Sequence, residues 1–211
     1  MRHLRAVAAL LCVALCLAGC GVPGLSDSLT PPNQGSGAGS GACSDVRLLV
    51  ARGTGEPGEL GFVVGDPLFA ALQGQLGAQL SGAPVDYPAS SITADGIRQG
   101  VEDVTSQLAA QVEDCADQQF ALAGYSQGAI VITEALLELS PDAAERVAAV
   151  VLFGNPVRAA GTGQFSGRTL DICATGDTIC GGAGNGNGTG HLSYGSDVED
   201  AAAFVVEQLG G

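Results

Sequence analysis

The chain has no lysine and no tryptophan, one methionine and only two histidines in 211 residues. Without lysine, its positive charge rests on eight arginines against 22 acidic residues, a formal net charge of −14. So acidic a chain repels polyphosphate, which excludes nucleic acid as a partner. It repels anionic lipid surfaces for the same reason. Scarce histidine leaves few places for chemistry that needs an imidazole. No apolar run reaches the roughly 20 residues of a membrane-spanning helix. No internal repeat and no metal or cofactor motif is present, and no cofactor is expected.

The longest apolar stretch, Ala6 to Ala18, follows the basic residues Arg2 and Arg5. That order reads residues 1–19 as a secretory signal. It ends in Leu17-Ala18-Gly19-Cys20, which resembles a bacterial lipobox, in which the cysteine is lipidated and becomes the new N-terminus. Loss of the signal removes two arginines and no acid, leaving six arginines against 22 acids, a net charge of −16. Attachment to a membrane would then come from the lipid on Cys20 and not from surface charge. Residues 20–42 carry this cysteine and a Gly/Ser/Pro-rich linker with too few apolar side chains to fold. Residues 43–211 form one domain, long enough for a sizeable core. The protein is expected to be exported, held at the envelope or secreted, and monomeric.

The most informative stretch is Gly124-Tyr125-Ser126-Gln127-Gly128, a G-x-S-x-G pentapeptide. The run Phe120 to Ala123 before it reads as a buried strand, and Ala129 to Leu139 after it as a helix. Strand, sharp turn, serine and helix are the context of a nucleophile elbow. A serine hydroxyl is a weak nucleophile, so it needs a base within hydrogen-bond reach and a group to orient that base. His3 lies in the signal, which leaves His191 as the only imidazole of the mature chain. Asp177 stands out among the carboxylates because it sits between Cys173 and Cys180, just past an apolar run ending at Ile172. The order Ser126, Asp177, His191 is that of α/β-hydrolases.

Four segments together resemble the cutinase family of serine esterases. They are Ala51-Arg52-Gly53-Thr54-Gly55-Glu56, the elbow, the loop Cys173 to Cys180 with Gly176-Asp177 inside it, and His191-Leu192-Ser193-Tyr194-Gly195. Leu152-Phe153-Gly154-Asn155-Pro156 resembles the bacterial, actinobacterial-type branch. The resemblance implies a lidless, doubly wound α/β sandwich around a mostly parallel sheet of about five strands. It implies hydrolysis of acyl esters. It also assigns an oxyanion hole to Thr54 and the backbone N–H of Gln127. Helix geometry agrees for Gln127, whose N–H opens the helix after the elbow.

Seven cysteines resolve into Cys12 and Cys16 in the signal, Cys20 at the lipid site, and four others. An even remainder in an exported chain implies disulfides. Four cysteines allow three pairings. Cys173 and Cys180 are close in sequence, which leaves Cys43 with Cys115, and the family pattern agrees. In a loop-entropy picture the long bridge contributes roughly 4 kcal/mol and the short one roughly 2.5 kcal/mol.

The remaining pattern alternates strand and helix, as a mostly parallel sheet requires. Strands are expected at Val46–Val50, Pro84–Tyr87, Val147–Phe153 and Thr169–Cys173. Asp66-Pro67 is expected to cap a helix with Leu68, Leu72, Leu76 and Leu80 on one face. Ile97, Val101, Val104, Leu108 and Val112 line a long helix. Ser196 and Glu199 are expected to form a capping box for a last helix that buries Val198, Ala201, Ala202, Val205 and Leu209.

Residues 181–190 contain no large apolar side chain where fungal relatives carry several. Such a loop buries little surface on a polymer or lipid, and its glycines are costly to order. Phe62, Val63, Val64 and Phe165 could restore an apolar rim, but sequence does not place them. The expected activity is therefore a serine esterase for short to medium acyl esters. Phospholipase, thioesterase or acyltransferase action on envelope lipids is the alternative within the same chemistry. A surface lipoprotein with no activity is the alternative outside it.

Overall fold

A computed structural model describes residues 43–210. The signal at 1–19, the Cys20 lipid site and the linker at 20–42 lie outside the described residues. Among the described residues no helix is long and apolar enough to cross a membrane.

Five parallel strands form one sheet in the order β2-β1-β3-β4-β5. They are β1 Val46–Ala51, β2 Leu80–Pro84, β3 Gln119–Tyr125, β4 Val147–Phe153 and β5 Thr169–Ile172. The chain starts near the middle, steps outward to β2, then crosses back past β1 to β3, β4 and β5. Helices α2 (Ala94–Asp114), α3 (Gln127–Ala135) and α4 (Pro141–Arg146) cover one face. Helices α1 (Gly65–Leu76) and α5 (Val198–Leu209) cover the other. Because both faces are covered, β4 and most of β3, inside the sheet, read as continuous apolar runs, while the edge strands β2 and β5 carry polar residues. Along β3, Phe120 and Leu122 enter the core under α2 and α3, while Ala121 and Ala123 enter the core under α1 and α5. Along β4, Val150 and Leu152 alternate with Ala149, Val151 and Phe153 in the same way. The result is a doubly wound, three-layer, lidless α/β-hydrolase fold.

Several local expectations are corrected. Asp66 and Pro67 lie inside the first turn of α1 and do not cap it; Val64 holds the N-cap position, and the Asp66 N–H donates to the Gly61 carbonyl at 2.9 Å. The helix ends at Leu76, so Leu80 opens β2 and packs through the sheet instead. The second strand therefore runs four residues earlier than expected, with Val46 to Val50 of β1 opposite Leu80 to Pro84. α3 stops at Ala135, and a separate α4 follows, started by Pro141 at its first turn and by Ser140, whose hydroxyl accepts the Ala143 N–H at 3.3 Å. The Ser196–Glu199 capping box does not form. Residues Tyr194–Asp197 are already wound as a 3₁₀ turn that runs into α5, so Ser196 lies within helical backbone and its hydroxyl donates to the Ser193 carbonyl.

Both expected disulfides are present, Cys43–Cys115 and Cys173–Cys180. The first ties the start of the domain to the end of α2. The second closes the loop after β5.

Candidate active site

β3 delivers the chain to Ser126, the one non-glycine residue at positive φ among the described residues, at φ 54° and ψ −115°. Such a backbone costs of order 1–3 kcal/mol and is held by its surroundings. Here the surroundings are tight. A Cβ on Gly124 would lie 2.6 Å from the Gly128 carbonyl, and one on Gly128 would lie 1.9 Å from the Ala51 carbonyl. The two glycines let strand, turn and helix meet that closely. The Ser126 N–H donates to the Phe153 carbonyl of β4 at 2.9 Å, which fixes the elbow to the next strand.

The loop after β5 carries Asp177, and the loop before α5 carries His191. An isolated parallel bridge pairs Thr175 with Thr189, and Gly190 N–H donates to Thr175 O at 2.9 Å, so the two loops are joined backbone to backbone. This brings the imidazole between the other two side chains. His191 Nε2 lies 2.9 Å from Ser126 Oγ, and His191 Nδ1 lies 2.7 Å from Asp177 Oδ2. Ser126, His191 and Asp177 thus form one hydrogen-bonded row. The imidazole is 27% exposed and the Asp177 side chain 1%. Burial raises the Asp177 carboxyl, but hydrogen bonds from Tyr194, His191 and the Ile179 N–H outweigh it and hold the group below the ordinary carboxylate range.

The two residues expected at an oxyanion hole also meet. Thr54 Oγ1 donates to Gln127 Oε1 at 2.8 Å, and Gln127 Nε2 donates to the Ser91 carbonyl at 3.1 Å. Gln127 opens α3, so its backbone N–H has no partner within the helix and points along the positive end of the dipole. Glu56 holds the Thr54 loop from below, its carboxylate accepting the N–H groups of Gly53 and Val63.

Sequence reasoning gave no role to three residues that support this row. Tyr125 stacks on the imidazole, Tyr194 donates to Asp177, and Glu56 shapes the Thr54 loop. The available clue is position: of the chain's three tyrosines, one directly precedes the serine and one lies three residues after the histidine.

The apolar surroundings differ from expectation. Phe62 is 71% exposed, but Val64 and Phe165 are buried in the two cores and form no rim. Ile92, Ile179 and Leu192 are exposed instead. Ile92 follows Ser91, the acceptor of Gln127; the Ile179 N–H donates to Asp177 Oδ1 at 3.0 Å; and Leu192 follows His191. The glycine-rich loop 181–190 is pinned rather than loose. Asn185 Oδ1 accepts the Cys173 N–H at 2.9 Å, its amide donates to Asp171 O at 3.0 Å, and the Asn187 amide donates to Asp200 at 2.9 Å. The asparagines among the glycines supply the contacts that the glycines cannot.

The family model for cutinase matches residues 42–209. The chain belongs to the cutinase family. A cutinase of Hypocrea jecorina is 38% identical over 168 residues, 78% of this chain and 67% of that protein. The carboxylesterase Culp1 of Mycobacterium tuberculosis is 33% identical over 196 residues, 86% of this chain and 89% of that protein. In three dimensions the chain is similar to a Trichoderma reesei cutinase solved in complex with a phosphonate inhibitor. The TM-score is 0.69 at 36% identity, covering 79% of this chain and 77% of the other. Membership of this family, with relatives of these kinds, makes the chain a carboxylic ester hydrolase.

Proposed function

We propose that this cutinase-family domain is a serine esterase for short to medium acyl esters, exported and anchored through a lipid on Cys20. The observation that carries the reading is the position of His191, within hydrogen-bond distance of Ser126 on one side and Asp177 on the other. Ser126 Oγ attacks the ester carbonyl while His191 Nε2 takes its proton. The carbonyl π pair moves to the oxygen, and the resulting oxyanion is met by the Gln127 N–H and by Thr54. Asp177 keeps the proton on Nδ1 and stabilises the imidazolium. Collapse of the tetrahedral adduct expels the alcohol, which leaves with the proton from Nε2. Water repeats the sequence on the acyl-enzyme, releasing the acid and restoring Ser126.

Four exposed apolar side chains, Phe62, Ile92, Ile179 and Leu192, favour an acyl chain over a sugar or a peptide beside Ser126. They are also the observation that favours a second reading, in which the acyl group comes from an envelope lipid and is passed to water or to another alcohol. A graded series of p-nitrophenyl esters, run beside a phospholipid, separates the two.

Ser126→Ala tests the mechanism. Turnover of p-nitrophenyl butyrate is expected to fall by about 10⁴-fold or more with the circular dichroism spectrum unchanged. Wild-type-like turnover would remove Ser126 from the reaction. Cys20→Ala tests the anchor: the protein should leave the membrane fraction, and a variant that still pellets with membranes would overturn that part of the reading.

A further inference from the structure

Tyr194 is fully buried, yet its hydroxyl meets polar partners on two sides. It accepts the Ala174 N–H at 3.1 Å, and it donates to Asp177 Oδ2. That oxygen is the one that faces His191 Nδ1 at 2.7 Å. The other carboxylate oxygen, Oδ1, accepts the Ile179 N–H at 3.0 Å. The ring of Tyr194 is held edge-on by Phe153, Tyr125 and His191, with centroids 5.9, 5.8 and 6.2 Å away. Its hydroxyl therefore has little freedom to point elsewhere.

We propose that Tyr194 is a positioning residue that shares Asp177 Oδ2 with the imidazole, fixing which oxygen faces His191 and withdrawing part of its charge. This rests on the reading of Ser126, His191 and Asp177 as the reacting row. A carboxylate that accepts one strong hydrogen bond spreads its negative charge over two donors when it accepts a second. The imidazolium beside it is then stabilised less than by a carboxylate with no second donor. The shared bond keeps the base from becoming too basic to give up its proton to the leaving alcohol, since proton transfer works best when donor and acceptor are matched near the working pH. Burial first, and then the Asp177 carboxylate, raise the Tyr194 phenol above its ordinary value, so it remains a donor wherever the enzyme works. The groups around the imidazole are Ser126 and Tyr125 from the elbow, Asp177 from the β5 loop and Tyr194 from the turn before α5. Glu56 lies beyond Tyr125, and of all these only Asp177 and Glu56 carry charge.

The chain has two histidines, so the full-length protein with His3→Gln contains one imidazole, and its titration can be followed by NMR without any assay of activity. In Tyr194→Phe the His191 titration should move to higher pH, because Asp177 Oδ2 then serves the imidazole alone. kcat for ethyl butyrate, whose leaving alkoxide needs the proton from His191, should fall about three- to tenfold with KM nearly unchanged. Replacement of Tyr194 by meta-fluorotyrosine, a stronger donor of nearly the same shape, should move the His191 pKa the other way. This second protein also decides the matter if Tyr194→Phe does not fold. An unmoved His191 titration in both proteins would overturn the proposal and leave Tyr194 as packing. Ser126→Ala is run beside them. Retained turnover there would overturn the catalytic reading, while the titrations would still report whether Tyr194 acts on His191 through Asp177.

Discussion

The Tyr125 ring lies over the His191 ring with centroids 5.1 Å apart and planes inclined by 30°, and the Tyr125 hydroxyl donates to the His191 carbonyl at 2.7 Å. Tyr125 is the residue before Ser126. The imidazole is thus located by the side chain next to the very serine it must reach. A shift of the elbow carries the His191 loop with it, so the 2.9 Å contact between Ser126 and His191 depends on one rigid corner and not on two independent loops.

Gly154, at the end of β4, sits behind this corner at φ 56°. A Cβ there would lie 2.9 Å from His191 Cε1 and 3.1 Å from Tyr194 Cε2. Gly154→Ala should lower kcat/KM for a short ester by about tenfold or more if His191 is the base, as proposed, because small misplacements of such a group are costly. Stability should fall by about 1 kcal/mol from the left-handed backbone. Steady-state kinetics with thermal denaturation checks both, and full activity would mean that the ring has room to move.

The two disulfides should separate stability from activity. Replacing Cys173 and Cys180 together by serine should cost roughly 2.5 kcal/mol and should also free the loop that holds Asp177. Replacing Cys43 and Cys115 should cost more, roughly 4 kcal/mol, because it opens a loop of 72 residues. Yet it should leave kcat of the folded protein near wild type, since that bridge lies at the start of β1 and the end of α2. Equal losses of kcat in the two variants would contradict this.

Asp177 gives a dependence on pH with a definite sign. Its carboxyl is held below the ordinary range in the folded protein, so its contribution to stability is complete above the unfolded value of about 4. That contribution fades as pH falls through the lower, folded value. Asp177→Asn should therefore flatten the acid side of the stability curve below about pH 4, and should lower kcat by about 10⁴-fold. Asp171 acts in the opposite sense. Burial raises its carboxyl despite the Asn155 amide and the Arg158 guanidinium, so Asp171 adds stability as pH falls. Urea unfolding across the acid range distinguishes the two residues.

Exposed Phe62 and Leu192 should matter for acyl chains and not for the reaction itself. Phe62→Ala and Leu192→Ala should raise KM for a hexanoate ester several-fold, at about 25 cal/mol per Å² of lost contact, with acetate turnover little changed. On a polyester film the wild-type domain should act slowly, since residues 181–190 supply no large apolar side chain to bury on the polymer. Fast hydrolysis of the film with weak activity on butyrate would show that residues elsewhere build an apolar rim.

What could be read ahead of the structure was whatever depends on short stretches of chain. The β4 run from Val147 to Phe153 has no polar residue because both its faces are covered, and that follows from sequence alone. The elbow is legible because strand, serine and glycines are contiguous. Element ends were less legible. Leu80 has the spacing of a fourth residue on the α1 stripe, but the chain has turned before it, and only pairing with Val46 shows where it belongs. Ser196 and Glu199 have the capping-box spacing, but the preceding turn was already wound. The exposure of apolar side chains is illegible for a related reason. Val64 and Phe165 look available as letters, and tertiary packing buries them, while Ile92, Ile179 and Leu192 are exposed by loops whose course no local pattern records. Tyr194 lies in a motif that was noticed, but a hydroxyl bond to a residue 17 positions away has no sequence signature.

The glycine-rich loop has a consequence for the sheet as a whole. β5 is the outer strand, and Ile172 turns its carbonyl inward to Gly154. The outward-facing groups are then those of Asp171 and Cys173. Asn185 occupies them: its amide donates to Asp171 O, its side-chain oxygen accepts the Cys173 N–H, and its own N–H donates to Cys173 O at 2.9 Å. One asparagine side chain and its backbone imitate a short stretch of a sixth strand. A bare strand edge is a template for another chain, and here that template is already filled from within. At Asp171 O and at both backbone groups of Cys173, this edge is closed to pairing with a second copy of the chain.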